Sequence, residues 1–173
     1  MNPEYDKAEH FLQKYLQHIF PYQDKNNHIQ NTSRRFLNYI HEYTQGYNED
    51  IYEVVQSAIY SNPYKGSLQT ICQKDIKFCS ICVHHLLPFN GTIDISYIPD
   101  KYILGLSKFS KICEILSRRF TLQEQLGHDI VKHLFSILEP KEITVTLRAQ
   151  HCCMSCRGVR NKAVTETIHH LKQ

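Results

Sequence analysis

Two short stretches of the chain concentrate thiol and imidazole groups, the side chains that bind soft and borderline metal ions. The first is Cys82-Val83-His84-His85, and an apolar run that ends in Pro and Phe follows it. The second lies far downstream, at His151-Cys152-Cys153-Met154-Ser155-Cys156. Cysteine and histidine together suit an ion such as zinc. Two ligands from one stretch and a third brought in by the fold would leave one coordination position open, as in catalytic zinc sites.

The spacing leaves three interpretations of these stretches open. In the first, Cys82, His85 and one of the downstream cysteines hold a catalytic metal. In the second, the Cys-x-x-Cys pairs that start at Cys79 and Cys153 form a closed structural zinc site. In the third no metal binds, because a free cysteine also behaves as a small hydrophobe. The adjacent His84 and His85 favour the first over the second, since a four-cysteine site does not use them.

Two further histidines are candidates for proton transfer. His84 and His151 each lie within the stretches that hold the proposed ligands. Adjacent residues seldom both reach one metal, so we expect His84 to act on protons beside the metal that His85 binds. The competing interpretation of any single histidine is a surface or core residue, and it is weaker here because both lie so close to the cysteines.

A group of basic residues could bind an anionic ligand. Ser107 and Lys108 begin a predicted helix, where backbone N–H groups favour anions. Lys111, Arg157 and Arg160 could add positive charge for a phosphate-rich ligand. An ordinary solvated charged surface explains the same residues equally well.

The first part of the chain predicts helices. Apolar residues at helical spacing indicate three of them, over residues 4–20, 32–43 and 49–60. A polar loop at Gln23–Gln30 separates the first two. Gly46 is placed to end the second helix.

Strands and a helical pair follow. Alternating apolar residues predict strands over residues 68–78, 93–97, 143–149 and 163–169. The hairpin-type dipeptide Asn90-Gly91 precedes the second of these strands. Ser107 is the expected N-cap of the first helix of the pair. Thr121 and Glu124 match a capping box at the start of the second helix. This capping role would explain Glu124 without any ligand. Helices followed by strands around a helical pair predict an α+β fold with a mostly antiparallel sheet.

Composition narrows the class of protein. A chain of 173 residues with 42% apolar and 21% charged residues is typical of one globular domain. Within this domain we expect a helical region at 1–65 and a catalytic region at 66–173. A net charge of +3 does not argue for a nucleic-acid or membrane partner. Seven cysteines, an odd count, and the lack of a long apolar run lead us to expect reduced thiols and a cytoplasmic location.

Four linked motifs span about residues 76–160. They are Cys82-x-His84-His85-Leu86-Leu87-Pro88-Phe89, Gly105-Leu106-Ser107-Lys108, Arg118-Arg119 with Gln123-Glu124, and His151-x-Cys153-Met154-x-x-Arg157-Gly158-Val159. In their order and spacing they resemble the GTP cyclohydrolase I family. Val83 departs from this resemblance, because the family usually has Glu there.

The resemblance implies a fold, an assembly and a reaction. The fold would be the tunnelling fold, in which antiparallel sheets from several subunits form a barrel. The assembly would be a toroidal homodecamer with its sites at subunit interfaces. The reaction would convert GTP and water to 7,8-dihydroneopterin triphosphate and formate, the first step of pterin and folate-type synthesis.

The resemblance also implies a role for individual residues. The implied zinc ligands are Cys82, His85 and Cys153, and the implied catalytic groups are His84, His151 and Ser107. The implied substrate-binding residues are Gln123, Glu124, Lys108, Lys111 and Arg157.

Three alternatives to this enzyme have distinct requirements. A catalytically weakened relative would bind a purine or pterin nucleotide as a regulatory module. A structural zinc protein would use the four cysteines of the two Cys-x-x-Cys pairs. A nitrile reductase of queuosine synthesis, which shares the tunnelling fold, would need a nicotinamide cofactor and a nucleophilic cysteine, and the paired zinc motifs argue against it.

Overall fold

The computed structural model describes residues 3–20, 29–66 and 68–173, and these divide into two compact units with a boundary between Glu42 and Tyr43. Most of the expected loop at Gln23–Gln30 lies outside the described residues. The regions expected from the sequence, with a boundary at residue 65, stay a prediction. No helix in the described ranges is long and apolar enough to cross a membrane.

The first unit contains two helices, α1 (Pro3–Ile19) and α2 (Thr32–Glu42), as the apolar spacing predicts. Polar side chains join them: the Tyr5 hydroxyl donates to Asn38 at 2.6 Å, and the Ser33 hydroxyl donates to Gln13 at 2.9 Å. Hydrogen bonds between polar side chains therefore contribute to the contact between these helices.

The second unit carries the remaining elements. Its helices are α3 (Ile51–Val55), α4 (Leu106–Ser117), α5 (Gln123–Leu138) and α6 (Cys152–Ser155), with short 3-10 segments at Gln45–Asn48 and Gln56–Ala58. Its strands are β1 (Ile59–Ser61), β2 (Ile71–Cys82), β3 (Pro88–Ile98), β4 (Tyr102–Leu104), β5 (Phe120–Thr121), β6 (Glu142–His151) and β7 (Val164–Lys172).

Five strands form the main sheet in the order β5-β2-β3-β6-β7, and only the short β2–β5 pair is parallel. Helices α4 and α5 pack on one face of this sheet. Buried aliphatic side chains from both layers fill the space between them; they include Ile93, Ile95, Val145, Leu147, Ile112, Ile130 and Leu134. The predicted α+β fold with a mostly antiparallel sheet is confirmed.

Two predictions about the early helices were wrong. The helix expected over residues 49–60 is only α3, because Asp50 caps it and Ile59 already pairs with Leu104 in a small sheet. Gly46 does not end α2 but lies in a 3-10 segment, where an added Cβ would approach the carbonyl oxygen of Ile115 to 2.0 Å. Close packing of backbone on backbone, and not helix termination, requires glycine at this position.

The dipeptide Asn90-Gly91 is not a hairpin turn but lies within β3. The β2–β3 turn is formed by the residues after Cys82. Gly91 serves close packing instead, since an added Cβ would approach the carbonyl oxygen of Arg148 to 1.8 Å. Strand β3 is consequently longer than predicted and begins at Pro88.

Both predicted helix caps were also wrong. Helix α4 has Gly105 at its N-cap, so Ser107 lies inside the first turn. Helix α5 has Leu122 at its N-cap without any side-chain cap bond, which removes the capping box proposed for Thr121 and Glu124. The capping role that would explain Glu124 without a ligand is therefore absent.

Candidate metal centre and catalytic pocket

Cys82 ends β2, and the tight turn after it brings His85 back beside it. The backbone N–H groups of His85 and Leu86 donate to the carbonyl of Cys82, and the N–H of Cys82 donates to the carbonyl of Leu87. Leu86 adopts a left-handed conformation, with φ of 53°, to close the turn. As a result, Cys82 Sγ lies 3.9 Å from His85 Nδ1.

The register of the sheet brings the downstream stretch to the same place. Phe89 at the start of β3 pairs with His151 at the end of β6, so α6 begins opposite the β2–β3 turn. The Sγ atoms of Cys82 and Cys153 and a ring nitrogen of His85 all lie within 4.8 Å of one another. Burial raises the pKa of the Cys153 thiol, and the adjacent Cys82 raises it further.

This cluster has the composition and size of a metal site. A tetrahedral zinc ion, with Zn–S near 2.3 Å and Zn–N near 2.0 Å, separates its sulfur and nitrogen ligands by roughly 3.5 Å. The 3.9 Å between Cys82 Sγ and His85 Nδ1 is close to this value. Three protein ligands leave one position open, so the residues fit a catalytic ion in preference to a closed structural one.

The other members of the two Cys-x-x-Cys pairs have different surroundings. In the described part of the chain, the group of close metal-ligating atoms does not include Cys79 or Cys156. Cys79 Sγ accepts a hydrogen bond from the Tyr43 hydroxyl at 3.4 Å, and the Cys156 thiol donates to the carbonyl of Cys152 at 2.7 Å. The geometry therefore brings together three ligands of the first interpretation and not four cysteines.

His151 is held rigidly beside the cluster. Its ring stacks on that of Phe89, with centroids 4.8 Å apart and planes 2° from parallel. Its Nε2 atom lies 2.8 Å from Oε1 of Gln123, a residue only 1% exposed. Burial lowers the pKa of His151, and the negative charge of Glu124 opposes this effect.

Gln123 determines which nitrogen of His151 carries the proton. The two hydrogens of its amide NH2 are donated to the backbone carbonyls of Leu147 and Thr165, at 3.2 and 3.0 Å, and the Thr167 hydroxyl oxygen lies 3.3 Å from the same nitrogen. Carbonyls only accept, so the amide cannot be flipped, and its oxygen must face His151. Neutral His151 therefore carries its proton on Nε2 and presents the lone pair of Nδ1.

An open pocket of about 260 Å³ surrounds these groups. Seven predicted site residues line it: Cys82, His84, His85, Gln123, Glu124, His151 and Cys153. Glu124 is exposed in the first turn of α5, and the ring of His84 meets that of His85 edge-on at 6.1 Å. One cavity is thus lined by three potential metal ligands, by the imidazoles of His84 and His151, and by the carboxylate of Glu124.

The remaining predicted residues do not line this pocket. Lys108 Nζ donates to the carbonyl of Val54 at 2.9 Å, and Lys111 Nζ lies 3.4 Å from carboxylate oxygens of both Glu49 and Glu114. Ser107 is exposed at the start of α4, and Arg157 is exposed after α6. One chain therefore brings together the predicted metal-binding and proton-transfer residues and Glu124, whereas Lys108, Lys111 and Arg157, which were expected to bind phosphate, lie outside this pocket.

Sequence reasoning missed the residues that support the pocket. Phe89 stands in the first motif as an apolar residue, and nothing in the sequence shows that it stacks under His151. Thr165 and Thr167 lie on β7, and they act only because the β6–β7 register brings them to Gln123. The alternation of β7 in the sequence is the signal that could have placed these two threonines on one face.

Comparisons with known proteins agree with these motifs. The sequence profile of the GTP cyclohydrolase I family matches residues 8–172. A "GTP cyclohydrolase 1" of Rickettsia africae is 39% identical over 140 residues, which cover 80% of this chain and 72% of that relative. A protein of the same name from Porphyromonas gingivalis is 40% identical over 119 residues, 69% of this chain and 60% of that relative.

A solved structure shares the fold. The apo form of an archaeosine synthase QueF-like protein superimposes with a TM-score of 0.50, covering 60% of this chain and 94% of the other, at 18% sequence identity. At that identity the similarity concerns the fold alone.

The hydrogen bonds of Gln123 predict the effect of replacing it. Gln123→Met keeps the volume but leaves two carbonyls and His151 Nε2 without their partner, so we expect the free energy of unfolding to fall by about 1–3 kcal/mol. Nitrogen-15 NMR of His151 should show the Nε2–H form in the parent protein and a mixture of tautomers in the variant. Gln125→Met, on the exposed side of α5, should change the free energy of unfolding by less than about 0.5 kcal/mol. A parent protein with the proton on Nδ1 would contradict this assignment.

Proposed function

The chain belongs to the GTP cyclohydrolase I family, and on that premise we propose that it is a zinc-dependent enzyme that hydrolyses GTP to 7,8-dihydroneopterin triphosphate and formate. The observation that carries the proposal is the meeting of Cys82, His85 and Cys153 in one pocket with His151 and Glu124. A structural zinc site would not need an imidazole and a carboxylate facing the same cavity.

Cys82, His85 and Cys153 would hold the zinc ion, because their donor atoms match its preference for sulfur and nitrogen. Zinc bound there would supply Lewis acidity for the attack of water on C8 of the guanine ring. The open side of the triad faces the pocket that His84 and His151 also line, so the substrate base would enter from that side.

His84 and His151 would move protons during this attack and the opening of the ring. His151 would do so through Nδ1, because its Nε2–H is committed to Gln123. The stack on Phe89 holds the imidazole plane fixed, which reduces the reorganisation that proton transfer needs. His84 is exposed and meets the ring of His85 edge-on, so its side chain would have room to follow the substrate.

Glu124 would recognise the guanine base. A carboxylate can accept from both N1–H and the 2-amino group, a paired pattern that adenine does not offer. Glu124 is exposed in the first turn of α5 and lines the pocket, which places its carboxylate where a bound base could reach it. Gln123 would not bind the substrate, although the resemblance implies that it does. Its amide makes hydrogen bonds within the protein and positions His151.

A second copy of the chain would complete the site. The pocket of about 260 Å³ lies below the range of roughly 300–1,000 Å³ that is usual for ligand sites, and GTP is a large ligand. Ser107, Lys108 and Lys111 are outside the pocket of their own chain. We propose that a neighbouring copy supplies Ser107 for the later ring closure and the lysines, with Arg157, for the triphosphate.

The sheet offers edges for such an assembly. Within the described ranges, β7 pairs only with β6, and residues Ile71–Ser80 of β2 pair only with β3. A long open edge presents unpaired backbone groups to which a strand of another copy can add. These open edges are the observation that supports the proposed homodecamer with sites at its interfaces. The cytoplasmic location and the entry of the product into pterin or folate-type synthesis stay predictions.

The proposed reaction can be measured directly. Zinc-loaded protein incubated with GTP should release formate and give a fluorescent pterin after oxidation, and a chelator should abolish both until zinc is restored. His151→Ala should lower turnover by about 10²–10⁴, whereas His133→Ala, on α5 outside the pocket, should leave it nearly unchanged. Zinc-loaded oligomer that binds GTP without forming either product would contradict the proposal and favour a regulatory module.

Mixing of inactive variants tests the shared site. His84→Ala chains and Ser107→Ala chains, unfolded and refolded together in equal amounts, should regain roughly a quarter of the parental pterin formation, because random assembly in a symmetric oligomer rebuilds that share of complete sites. His84→Ala mixed with His151→Ala should regain almost none, since both residues line the pocket of one chain. Equal recovery in the two mixtures would contradict a site completed by a neighbouring copy.

A further inference from the structure

The stretch that supplies Cys153 contains two more thiols with no role in the proposed reaction. Cys152 precedes the proposed ligand directly, and Cys156 follows it by three residues. Neither belongs to the cluster of close metal-ligating atoms. Cys152 and Cys156 therefore lie beside the proposed ligand Cys153 without a function in the proposed reaction.

Backbone geometry places Cys153 and Cys156 one helical turn apart. Helix α6 spans Cys152–Ser155, and Cys156 continues it with right-handed helical angles, φ of −95° and ψ of −12°. Its N–H donates to the carbonyl of Cys152 at 3.0 Å. Helical residues three apart have Cα atoms about 5 Å from each other, within the range of about 4.4–6.8 Å found in disulfides. Their Cβ atoms, about 5–6 Å apart in a helix, must approach to about 3.5–4.5 Å. Side-chain rotation with a small backbone adjustment can therefore join the two sulfurs.

The two thiols differ in accessibility. Cys156 is exposed, and its hydrogen bond to the carbonyl of Cys152 is made within its own helical turn. Cys153 is half-buried and directs its sulfur to the triad with Cys82 and His85. A dissolved oxidant would consequently reach Cys156 first.

We propose that Cys153 and Cys156 form a redox-active dithiol whose oxidation withdraws Cys153 from the metal triad. Hydrogen peroxide, or another peroxide, oxidises the Cys156 thiol to a sulfenic acid and is reduced to water. The Cys153 sulfur then attacks the sulfenic sulfur, the S–S bond forms, and the hydroxyl leaves as a second water. Its proton comes from the Cys153 thiol in the metal-free protein and from solvent when Cys153 is bound to the metal as a thiolate. The two thiols together lose two electrons, and the peroxide gains them.

Release of the metal follows from this bond. The inference rests on the proposed zinc site, because a Cys153 sulfur bonded to Cys156 is no longer a thiolate and cannot ligate as one. Two ligands, Cys82 and His85, then remain from the triad. Reduction of the disulfide would restore the third ligand, so the loss of metal would be reversible.

Two other disulfides could compete with this one. Cys82 lies in the same cluster as Cys153 but is only 5% exposed, so an oxidant reaches it poorly. Cys152 is four residues from Cys156 where Cys153 is three, so helix geometry places its Cα about 6 Å away, against about 5 Å for Cys153. These differences favour Cys153 as the sulfur that resolves oxidised Cys156.

Peroxide titration of the zinc-loaded protein tests this inference. A colorimetric zinc chelator should detect about one equivalent of released metal per chain, and mass spectrometry of tryptic peptides should identify a Cys153–Cys156 disulfide. Dithiothreitol followed by added zinc should restore the metal content. Cys156→Ser should bind zinc like the parent but need at least about tenfold more peroxide for release, whereas Cys152→Ser should respond like the parent.

The metal-free protein separates this inference from the proposed function. There the Cys153–Cys156 disulfide should form with the same peroxide even if zinc binding itself fails. Equal zinc release from Cys156→Ser and parent protein would overturn the inference while leaving the enzyme proposal intact. A disulfide mapped to Cys82–Cys153 or Cys152–Cys156 in place of Cys153–Cys156 would overturn it as well.

Discussion

Pairing of β3 with β6 is the interaction on which the site depends. The register that sets Phe89 against His151 brings two stretches far apart in the chain to one end of the sheet. This register is fixed by burial, because a shift of one residue would turn Ile93, Ile95, Val145 and Leu147 away from α4 and α5. The hydrophobic core therefore specifies the proposed metal centre indirectly: Cys82, His85 and Cys153 meet because the aliphatic faces of two strands must meet the helices.

Gln123 joins three elements, α5, β6 and β7, through the hydrogen bonds of one side chain. From the first turn of α5 its amide reaches β6 and β7, and its oxygen fixes His151. One side chain therefore fixes both the orientation of the His151 ring and the position of α5 against β6 and β7. A buried amide with all its hydrogen bonds satisfied is a strong determinant of local structure, since leaving any of them unmade costs about 1–3 kcal/mol. Phe89, which stacks on the His151 ring, adds an apolar contact that holds the same ring.

Much of the fold could be predicted from periodicity, and the failures have local causes. The strands and the pair α4–α5 follow apolar spacing, which reports burial on one face. Gly46 and Gly91 were misinterpreted because close packing against another backbone, not turn formation, requires them. The capping box at Glu124 failed because the helix begins after Leu122 in extended conformation. The resemblance to the family, and not spacing alone, implied the triad. The partners of Gln123 depend on a strand register that local sequence does not encode.

The central claim is that three ligands from two stretches hold one catalytic zinc ion. Metal analysis of the reduced protein and four matched serine variants tests it most directly. Cys82→Ser and Cys153→Ser should lose the ion, whereas Cys79→Ser and Cys156→Ser, whose sulfurs lie outside the cluster, should keep close to one zinc per chain. Loss of zinc from Cys79→Ser and Cys156→Ser as well would identify a four-cysteine structural site and contradict the account.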